Sequence, residues 1–259
     1  MRILIAIPAR LGSWRFPDKP LTMIQGMPMI EHVYRRSRLA SGVDEVVMAV
    51  CEERVFEACK AFDAKAVMTS PETPTAIDRV AEAARLLDYV RPDDVVINVQ
   101  GDEPVVPPPV IEMTIELLKK DGGAACANMV EVIQDLSDLT NHHRIKAAIS
   151  THNRLLYLTR QSVPATVFDI HKKTVFYRQT CVMAFRGDFL QKFTQLPRTP
   201  LELIEGIDML RLIENDIPIA SGIAPYITQP VDTPEDVPRV EKILKTDPLF
   251  QGGYSKQSR

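Results

Sequence analysis

The chain has 259 residues, of which 45% are hydrophobic and 25% charged, a balance that is typical of a folded globular protein and excludes a disordered or fibrous one. Its formal net charge of -3 gives no general basic field for a nucleic-acid backbone, so we predict no nucleic-acid partner. The four cysteines include no CxxC pair, which argues against a disulfide framework and against a zinc knuckle. The apolar run Ile3–Ile7 is too short for a signal peptide or a membrane span, which predicts a cytoplasmic protein with no membrane partner.

The first hundred residues alternate short strand patterns with longer helical patterns. Continuous apolar runs predict buried strands, and apolar residues at helical spacing, such as Met29, Ile30 and Val33, predict the helices between them. The predicted order is strand 3–7, helix 28–39, strand 45–50, helix 53–62, strand 66–69, helix 76–89 and strand 95–99. Repeated strand–helix units predict a mostly parallel sheet that is covered by helices.

Beyond residue 124 this alternation weakens, and strand patterns follow one another without long helices between them. The patterns at 126–133, 145–150, 155–159 and 175–185 predict a smaller mixed or antiparallel layer. The chain then returns to a helix at 200–214, a strand near 217–223 and a last helix that starts at Thr233 or Pro234 and ends at Leu244. Asp232 or Thr233 is a suitable N-cap for that last helix, because proline is tolerated in the first helical turn.

Three polar segments follow strands of the predicted parallel sheet, at residues 8–19, 69–75 and 100–104. In open α/β sheets, ligands bind beyond the carboxyl ends of the strands. We therefore expect these three segments to converge on one cleft.

The first of these segments has the composition of a phosphate-binding loop. It contains Arg10, Arg15 and Lys19, together with Gly12 and Ser13, whose backbone can approach a ligand closely. Three cations at a strand end suit a triphosphate, and the alternative is a solvated basic surface loop. The sequence has neither a Walker A loop nor a GxGxxG turn, which argues against an ATPase of that class and a classical dehydrogenase.

Two acidic segments are candidates for a metal site. An apolar strand ends in Asp102 and Glu103, and Asp232 precedes the last predicted helix. A hard cation such as Mg²⁺ needs one or two carboxylate oxygens besides phosphate and water. Each acid taken alone is better explained as a helix cap or a surface charge than as a metal ligand, so a metal site requires that the fold bring Asp102 and Asp232 together.

The sequence resembles the CMP-Kdo synthetase (3-deoxy-manno-octulosonate cytidylyltransferase) family over residues 1 to about 245. The resemblance is in the segments Ile7-Pro-Ala-Arg10, Arg15-Phe-Pro-Asp-Lys-Pro-Leu21, Gly26-Met-Pro-Met-Ile30, Asn98-Val-Gln-Gly-Asp-Glu-Pro104, Pro200-Leu-Glu202 and Val231-Asp-Thr-Pro-Glu-Asp236. It implies a Rossmann-like α/β fold of the nucleotidyltransferase type, and Mg²⁺-dependent transfer of CMP from CTP to a hydroxyl of a sugar acid with release of pyrophosphate. It also implies a core of residues 1–125 and 200–250, and a smaller acceptor-binding unit of residues 126–199 through which a homodimer forms.

The resemblance also assigns roles to individual residues. Arg10 and Lys19 correspond to catalytic phosphate-binding cations, and Asp102 and Asp232 to the magnesium-binding aspartates. Arg160 corresponds to an arginine that faces the carboxylate of the sugar acid. The remaining predicted substrate-binding residues are Ser13, Arg15, Arg79, Gln100, Gln179, Glu202 and Glu205.

The departures from the family pattern fall on the acceptor side. The chain has Gln179 and Met183 where the family usually has a histidine and an aromatic residue, and it has Thr75-Ala-Ile-Asp-Arg79 where the family has Ser-Gly-Thr-[Asp/Glu]-Arg. The acceptor is therefore Kdo or a related acid, such as an amino-deoxy ulosonic acid, a phosphonate or another carboxylate. A non-catalytic CTP-binding regulator is the competing class of function.

Overall fold

The structure is a computed structural model that describes residues 1–12, 16–165 and 174–254. In these ranges the strands are β1 (Ile3–Ala9), β2 (Met23–Ile24), β3 (Met27–Pro28), β4 (Glu45–Val50), β5 (Ala66–Met68), β6 (Val95–Val99), β7 (Cys126–Val132), β8 (Lys146–Ile149), β9 (Leu155–Thr159), β10 (Tyr177–Arg186), β11 (Ile219–Ala220) and β12 (Ile223–Ala224). The α-helices are α1 (Met29–Ser37), α2 (Glu53–Ala61), α3 (Ala76–Leu86), α4 (Pro108–Lys120), α5 (Gly187–Phe193), α6 (Pro200–Glu205), α7 (Leu210–Ile213), α8 (Val237–Leu244) and α9 (Pro248–Gln251). No helix in the described ranges has the length and apolar character needed to cross a membrane.

One large sheet organises the molecule. Its strand order is β11-β7-β10-β6-β1-β4-β5, and β6, β1, β4 and β5 are parallel to one another. β10 lies antiparallel between β6 and β7, and its first residues also pair with β8 of the β8–β9 hairpin. The α/β fold with a mostly parallel sheet and a smaller antiparallel part is confirmed.

The sheet is sandwiched between helices because its central strands are apolar on both faces. All seven residues of β1 are buried. Ile5 and Ile7 pack in a cluster with residues of α1, α2 and α4, whereas Leu4 and Ala6 pack in a second cluster with residues of α3, α5 and α7. This alternation explains why the strand has no polar face.

The structure corrects the predicted elements in several places. The predicted helix 200–214 is two short helices, because Gly206 ends α6 with φ 63°. The predicted strand near 217–223 is the two short strands β11 and β12, and the last helix begins with a 3-10 turn at Pro234–Asp236. The prediction assigned no helix to the ranges of α4 and α5, which cover opposite faces of the sheet.

The strands β7 and β10, which the sequence assigned to a smaller unit, are hydrogen-bonded into the same sheet as the parallel strands. The β8–β9 hairpin is attached to that sheet through β10. The division into a core and a dimerisation unit therefore stays a prediction.

Candidate active site

Two adjoining cavities open beyond the carboxyl ends of β1 and β6. Their volumes are about 420 and about 310 Å³. The residues that line both are Arg10, Thr75, Ala76, Gln100 and Asp102. The three polar segments 8–19, 69–75 and 100–104 all contribute to the smaller cavity, which confirms their predicted convergence.

The smaller cavity has a cationic wall. Arg10 follows β1, Lys19 begins a 3-10 turn, and Arg79 lies in α3; all three line the cavity. Ser13 and Arg15, which the sequence predicts in the same loop, lie outside the described residues. The arrangement offers fixed positive charge to a polyphosphate.

Arg79 is buried and has one uncommitted nitrogen. Its Nη1 donates to Thr69 Oγ1 at 2.5 Å and to the Ser70 carbonyl oxygen at 3.2 Å. Its Nη2 has no hydrogen-bond partner in the structure. A buried guanidinium nitrogen without a protein acceptor is costly unless a ligand supplies one.

Gly101 allows the ends of β1 and β6 to approach each other at the floor of the smaller cavity. A Cβ atom at this position would lie 2.6 Å from the carbonyl oxygen of Pro8. Glycine is therefore required here for steric reasons, and the close approach brings Arg10 and Asp102 to one cleft.

The fold brings Asp102 and Asp232 to the same wall of the larger cavity. The amide of Val231 donates to the Asp102 carbonyl oxygen at 2.9 Å, which fixes the two segments side by side. Lys19 Nζ lies 2.8 Å from Asp102 Oδ2 and 2.9 Å from the Val231 carbonyl oxygen. Burial, and then the negative charge of Asp102, raise the pKa of Asp232, and Lys19 opposes this effect.

This pair of acids suits a hard cation. Two neighbouring carboxylates, one of them destabilised in its charged form, gain from a divalent ion, and Mg²⁺ commonly takes one or two protein carboxylates and completes its shell with phosphate and water. Among the described residues no group of three or more His, Cys, Asp or Glu side chains forms a metal cluster. The donor set therefore fits an ion that is bound together with a phosphate ligand.

Arginines are abundant in the larger cavity. Those that line it are Arg10, Arg144, Arg160, Arg178 and Arg198. Arg160 Nε donates to the Glu205 carbonyl oxygen at 2.7 Å, and Arg160 Nη1 to the His142 carbonyl oxygen at 2.8 Å. Arg160 Nη2 also donates to the Gly206 carbonyl oxygen at 3.3 Å, so backbone acceptors from two segments hold the guanidinium at the cavity.

The two residues that depart from the family pattern, Gln179 and Met183, both line the larger cavity. Gln179 Nε2 donates to Asn128 Oδ1 at 2.8 Å. Arg178, their neighbour, is engaged by Glu131, by Asp138 at 2.8 Å and by the Thr228 carbonyl oxygen at 2.7 Å. The guanidinium of Arg178 is therefore held in place by protein groups.

Glu202 and Glu205, predicted to bind substrate, are engaged by protein groups. Glu202 is 1% exposed and accepts from Arg211 Nη2 at 2.7 Å and from Arg198 Nε at 3.0 Å. Glu205 accepts from Thr159 Oγ1 at 2.7 Å and from the Arg160 amide at 2.9 Å, and it is absent from the described linings of both cavities. Glu202 lines the larger cavity beside Arg198, whereas Glu205 lies behind Arg160, and the contact of either glutamate with a substrate stays a prediction.

The sequence analysis missed Arg144 and Asp208, which also line the larger cavity. Arg144 is 5% exposed, its Nη1 lies 3.2 Å from Asp232 Oδ2, and its Nε has no hydrogen-bond partner. Burial raises the pKa of Asp208 to about 6. Neither residue belongs to a local motif, and no pattern in the surrounding sequence indicated that either would line the cavity.

Comparison with known proteins agrees with this geometry. Residues 4–219 match the family model described as Cytidylyltransferase. The 3-deoxy-manno-octulosonate cytidylyltransferase of Syntrophobacter fumaroxidans is 37% identical over 247 residues, which cover 95% of this chain and 98% of that protein. The 8-amino-3,8-dideoxy-manno-octulosonate cytidylyltransferase of Shewanella frigidimarina is 37% identical over 248 residues, which cover 95% and 100% of the two chains.

The fold has a solved counterpart as well. The structure of CMP:2-keto-3-deoxy-manno-octonic acid synthetase complexed with CTP superposes with a TM-score of 0.84 and 32% identity, covering 95% of this chain and 99% of that one. Two aspartates beside a cationic cleft, in this fold and with these relatives, identify the chain as a member of the cytidylyltransferase family.

Proposed function

We propose that this enzyme transfers CMP from CTP to a hydroxyl group of a Kdo-type sugar acid and releases pyrophosphate. The observation that supports this most directly is the position of Asp102 and Asp232 where a cationic nucleotide-sized cavity joins a second, arginine-rich cavity. A reaction that joins a nucleotide to an anionic acceptor needs two such compartments with a phosphate-binding centre between them.

The smaller cavity takes the nucleotide in this proposal. Arg10 and Lys19 neutralise the triphosphate, and the free Nη2 of Arg79 donates to the ligand. Phosphoryl and nucleotidyl transfer depend on positioning and charge neutralisation more than on covalent help from the protein. A set of fixed cations without a nucleophile therefore suffices for this chemistry.

Asp102 and Asp232 are the residues that would hold Mg²⁺. The ion, when bound, neutralises charge that develops on the α-phosphate and on the leaving pyrophosphate. Lys19, which already contacts Asp102, orients that carboxylate towards the junction of the two cavities. Gln100 lines both cavities and lies at the same junction, where nucleotide and acceptor meet.

The larger cavity takes the acceptor. Arg160 offers its guanidinium to the acid carboxylate, for which the planar fork is well suited. Gln179 and Met183 form part of the wall, so the pocket differs from one built with an imidazole and an aromatic side chain. The relatives named above act on Kdo and on its 8-amino derivative, which makes both acids candidates here.

The quaternary structure and location are part of the same proposal. We expect a homodimer that forms through the smaller unit of residues 126–199, and an enzyme of the cytoplasm. Both expectations rest on the family resemblance, and size-exclusion chromatography with light scattering tests the first directly.

A pyrophosphate-release assay tests the function. We would supply CTP and Mg²⁺ with Kdo, 8-amino-Kdo, another amino-deoxy ulosonic acid, a phosphonate and a simple 2-keto acid in parallel. The proposal predicts release with at least one sugar acid and formation of the CMP conjugate. Tight CTP binding without pyrophosphate release for any acid would favour the non-catalytic regulator instead.

Steady-state kinetics in the same panel decide the acceptor. A pocket without the usual histidine and aromatic hydroxyl leaves sugar hydroxyls less well paired, at a cost of about 1–3 kcal/mol for each unpaired group. We therefore expect a related acid to have a higher kcat/KM than Kdo. The highest kcat/KM with Kdo would show that Gln179 and Met183 are neutral replacements.

A further inference from the structure

Lys146 is fully enclosed by protein at the first position of β8. Its ammonium group donates to three backbone carbonyl oxygens, those of Asn141 at 2.8 Å, Arg144 at 2.7 Å and Arg160 at 2.5 Å. Among the described hydrogen bonds and ion pairs, none joins this ammonium to a carboxylate. Three donors meet three acceptors, so the hydrogen-bonding capacity of the charged amine is fully used.

The three carbonyl groups belong to two separate segments of the cavity wall. Residues 141–144 precede β8, and Arg160 follows β9. Each segment supplies one guanidinium to the larger cavity, from Arg144 and from Arg160. Lys146 therefore lies directly behind both cations and joins the backbone segments from which they extend.

A buried charged group at this position destabilises the folded state. Burial of an ammonium without an ion partner costs free energy, which hydrogen bonds from carbonyl oxygens offset only in part. Burial, followed by the positive charge of Arg160, lowers the pKa of Lys146 to about 8, whereas Asp138 and Glu205 act in the opposite direction. A neutral donor would satisfy a purely structural need at lower cost, and the ammonium adds positive potential behind the cavity.

We propose that Lys146 is a positioning residue for the acceptor, which holds Arg144 and Arg160 at the spacing that receives the acid carboxylate and strengthens the positive field there. It touches no substrate itself. This inference rests on the proposed function, because it assigns the larger cavity to the acceptor. It predicts an effect on the acceptor and not on CTP, because Arg144 and Arg160, whose backbone carbonyl groups Lys146 binds, line the larger cavity and not the smaller one.

The first test compares how replacement of Lys146 changes the KM for the acceptor and the KM for CTP. In Lys146→Met we expect the KM for the acceptor acid that the wild-type enzyme uses best to rise about tenfold, while the KM for CTP changes less than twofold. Lys146→Gln, which keeps a donor without the charge, should lie between Lys146→Met and the wild type. Lys119→Met is the matched control, because Lys119 is an exposed lysine of α4 that pairs with Glu116 and lines neither cavity.

The second test uses pH. Between pH 7 and 9.5 the wild-type ammonium loses its proton, and the neutral amine keeps two N–H donors for three carbonyl groups. The charged groups that face it are Asp138, Arg144, Arg160 and Glu205. The acceptor KM of the wild type should therefore rise towards that of Lys146→Met, so that the difference between them narrows.

Each outcome of these tests either supports or overturns the inference about Lys146. Thermal melting and CTP calorimetry report whether Lys146→Met is folded, and if it is not, the wild-type pH profile decides alone. An unchanged acceptor KM in the folded variant, an equal rise in the CTP KM, or a wild-type acceptor KM that stays constant above pH 8 would overturn the inference. Absence of turnover by the wild type with every acid would contradict the proposed function and overturn this inference with it.

Discussion

Asp102 and Asp232 each have one cation beside them. Lys19 pairs with Asp102 at 2.8 Å, and Arg144 pairs with Asp232 at 3.2 Å. The two cations come from distant parts of the chain, and each leaves its aspartate at the border of the larger cavity. Protein cations therefore partly neutralise both carboxylates at the junction of the two cavities and hold them in place.

Replacement of Lys19 tests the cationic side of this balance. In Lys19→Ala we expect CTP affinity to fall about tenfold or more, because a charge-assisted contact to phosphate contributes roughly 1.5–3 kcal/mol. Isothermal calorimetry measures this, with Lys60→Ala as the control, since Lys60 is an exposed residue of α2 that pairs with Glu57. Unchanged affinity in the folded variant would remove Lys19 from the nucleotide site.

The acidic side is tested by amide replacements. Asp102→Asn and Asp232→Asn should each abolish pyrophosphate release, because an amide lacks the charge that a hard cation requires. Both variants should remain folded, because the asparagine side chain keeps an oxygen that can accept a hydrogen bond from Lys19 or from Arg144. Asp188→Asn, in an exposed pair on α5, is the control. Wild-type turnover that persists in EDTA, or substantial activity in either variant, would contradict the metal assignment.

At the scale of elements, the sequence pattern predicted the central strands, because their formation depends on the local run of apolar residues. β1, β4 and β6 are continuous apolar runs, and parallel topology alone then places the segments after β1, β5 and β6 at one edge. The helix predicted over 200–214 failed because a single residue, Gly206, takes φ 63° and redirects the chain before α7. A pattern of apolar residues does not reveal which glycine ends a helix.

Some site residues could not be predicted because they reach the site through long-range contacts, which local sequence does not reveal. Arg10, Lys19 and Asp102 follow strands or lie in recognisable segments, so they could be proposed from position and from resemblance. Arg144 reaches the site through a hairpin that pairs with β10, which is a long-range contact without any local pattern. The hydrogen bonds of Glu205 to Thr159 and to the Arg160 amide are likewise long-range contacts that its local sequence does not reveal.

Gly101 offers a test at the level of two strand ends. In Gly101→Ala the new Cβ would meet the Pro8 carbonyl oxygen at 2.6 Å, so the ends of β1 and β6 must separate. We expect a loss of about 1–3 kcal/mol in the free energy of unfolding and weaker CTP binding, since Arg10 and Asp102 lie on either side of this contact. Urea denaturation and calorimetry measure both. Gly122→Ala, with nothing within 4 Å of its Cβ position, should change neither.

At the scale of the whole molecule, a buried ionic cluster connects the walls of the two cavities. Arg211, 2% exposed, pairs with Asp78 of α3 at 3.1 Å and with Glu202 of α6 at 2.7 Å. α3 also contains Arg79 of the smaller cavity, and the segment after α6 contains Asp208 of the larger one. Loss of one partner from such a cluster leaves a buried charge uncompensated, so these elements are held as one unit.

Asp208 gives the whole protein a measurable pH dependence. Its pKa in the fold is about 6, above the usual 3.8, so the unfolded chain releases this proton first as pH rises and stability falls between about pH 4 and 6. Asp208→Asn lacks this titration. We therefore expect the difference in free energy of unfolding between the variant and the wild type to shift by about 1–2 kcal/mol in favour of the variant between pH 4 and pH 7. Urea denaturation at several pH values measures this, with exposed Asp93→Asn as the control. A difference that does not change with pH would contradict the assignment.

The strand β10, which contributes Gln179 and Met183 to the larger cavity, is a direct neighbour of the strand β6, which precedes Asp102. Met183 of β10 pairs with Asn98 of β6, and the Gln100 amide donates to the Cys181 carbonyl oxygen at 3.1 Å. Backbone pairing of this kind does not depend on side-chain identity. Under the proposed function, natural variation or directed evolution can therefore change positions 179 and 183 to admit a new acid without moving the backbone that carries Asp102. Acceptor specificity is then free to evolve separately from the proposed metal site on the adjacent strand.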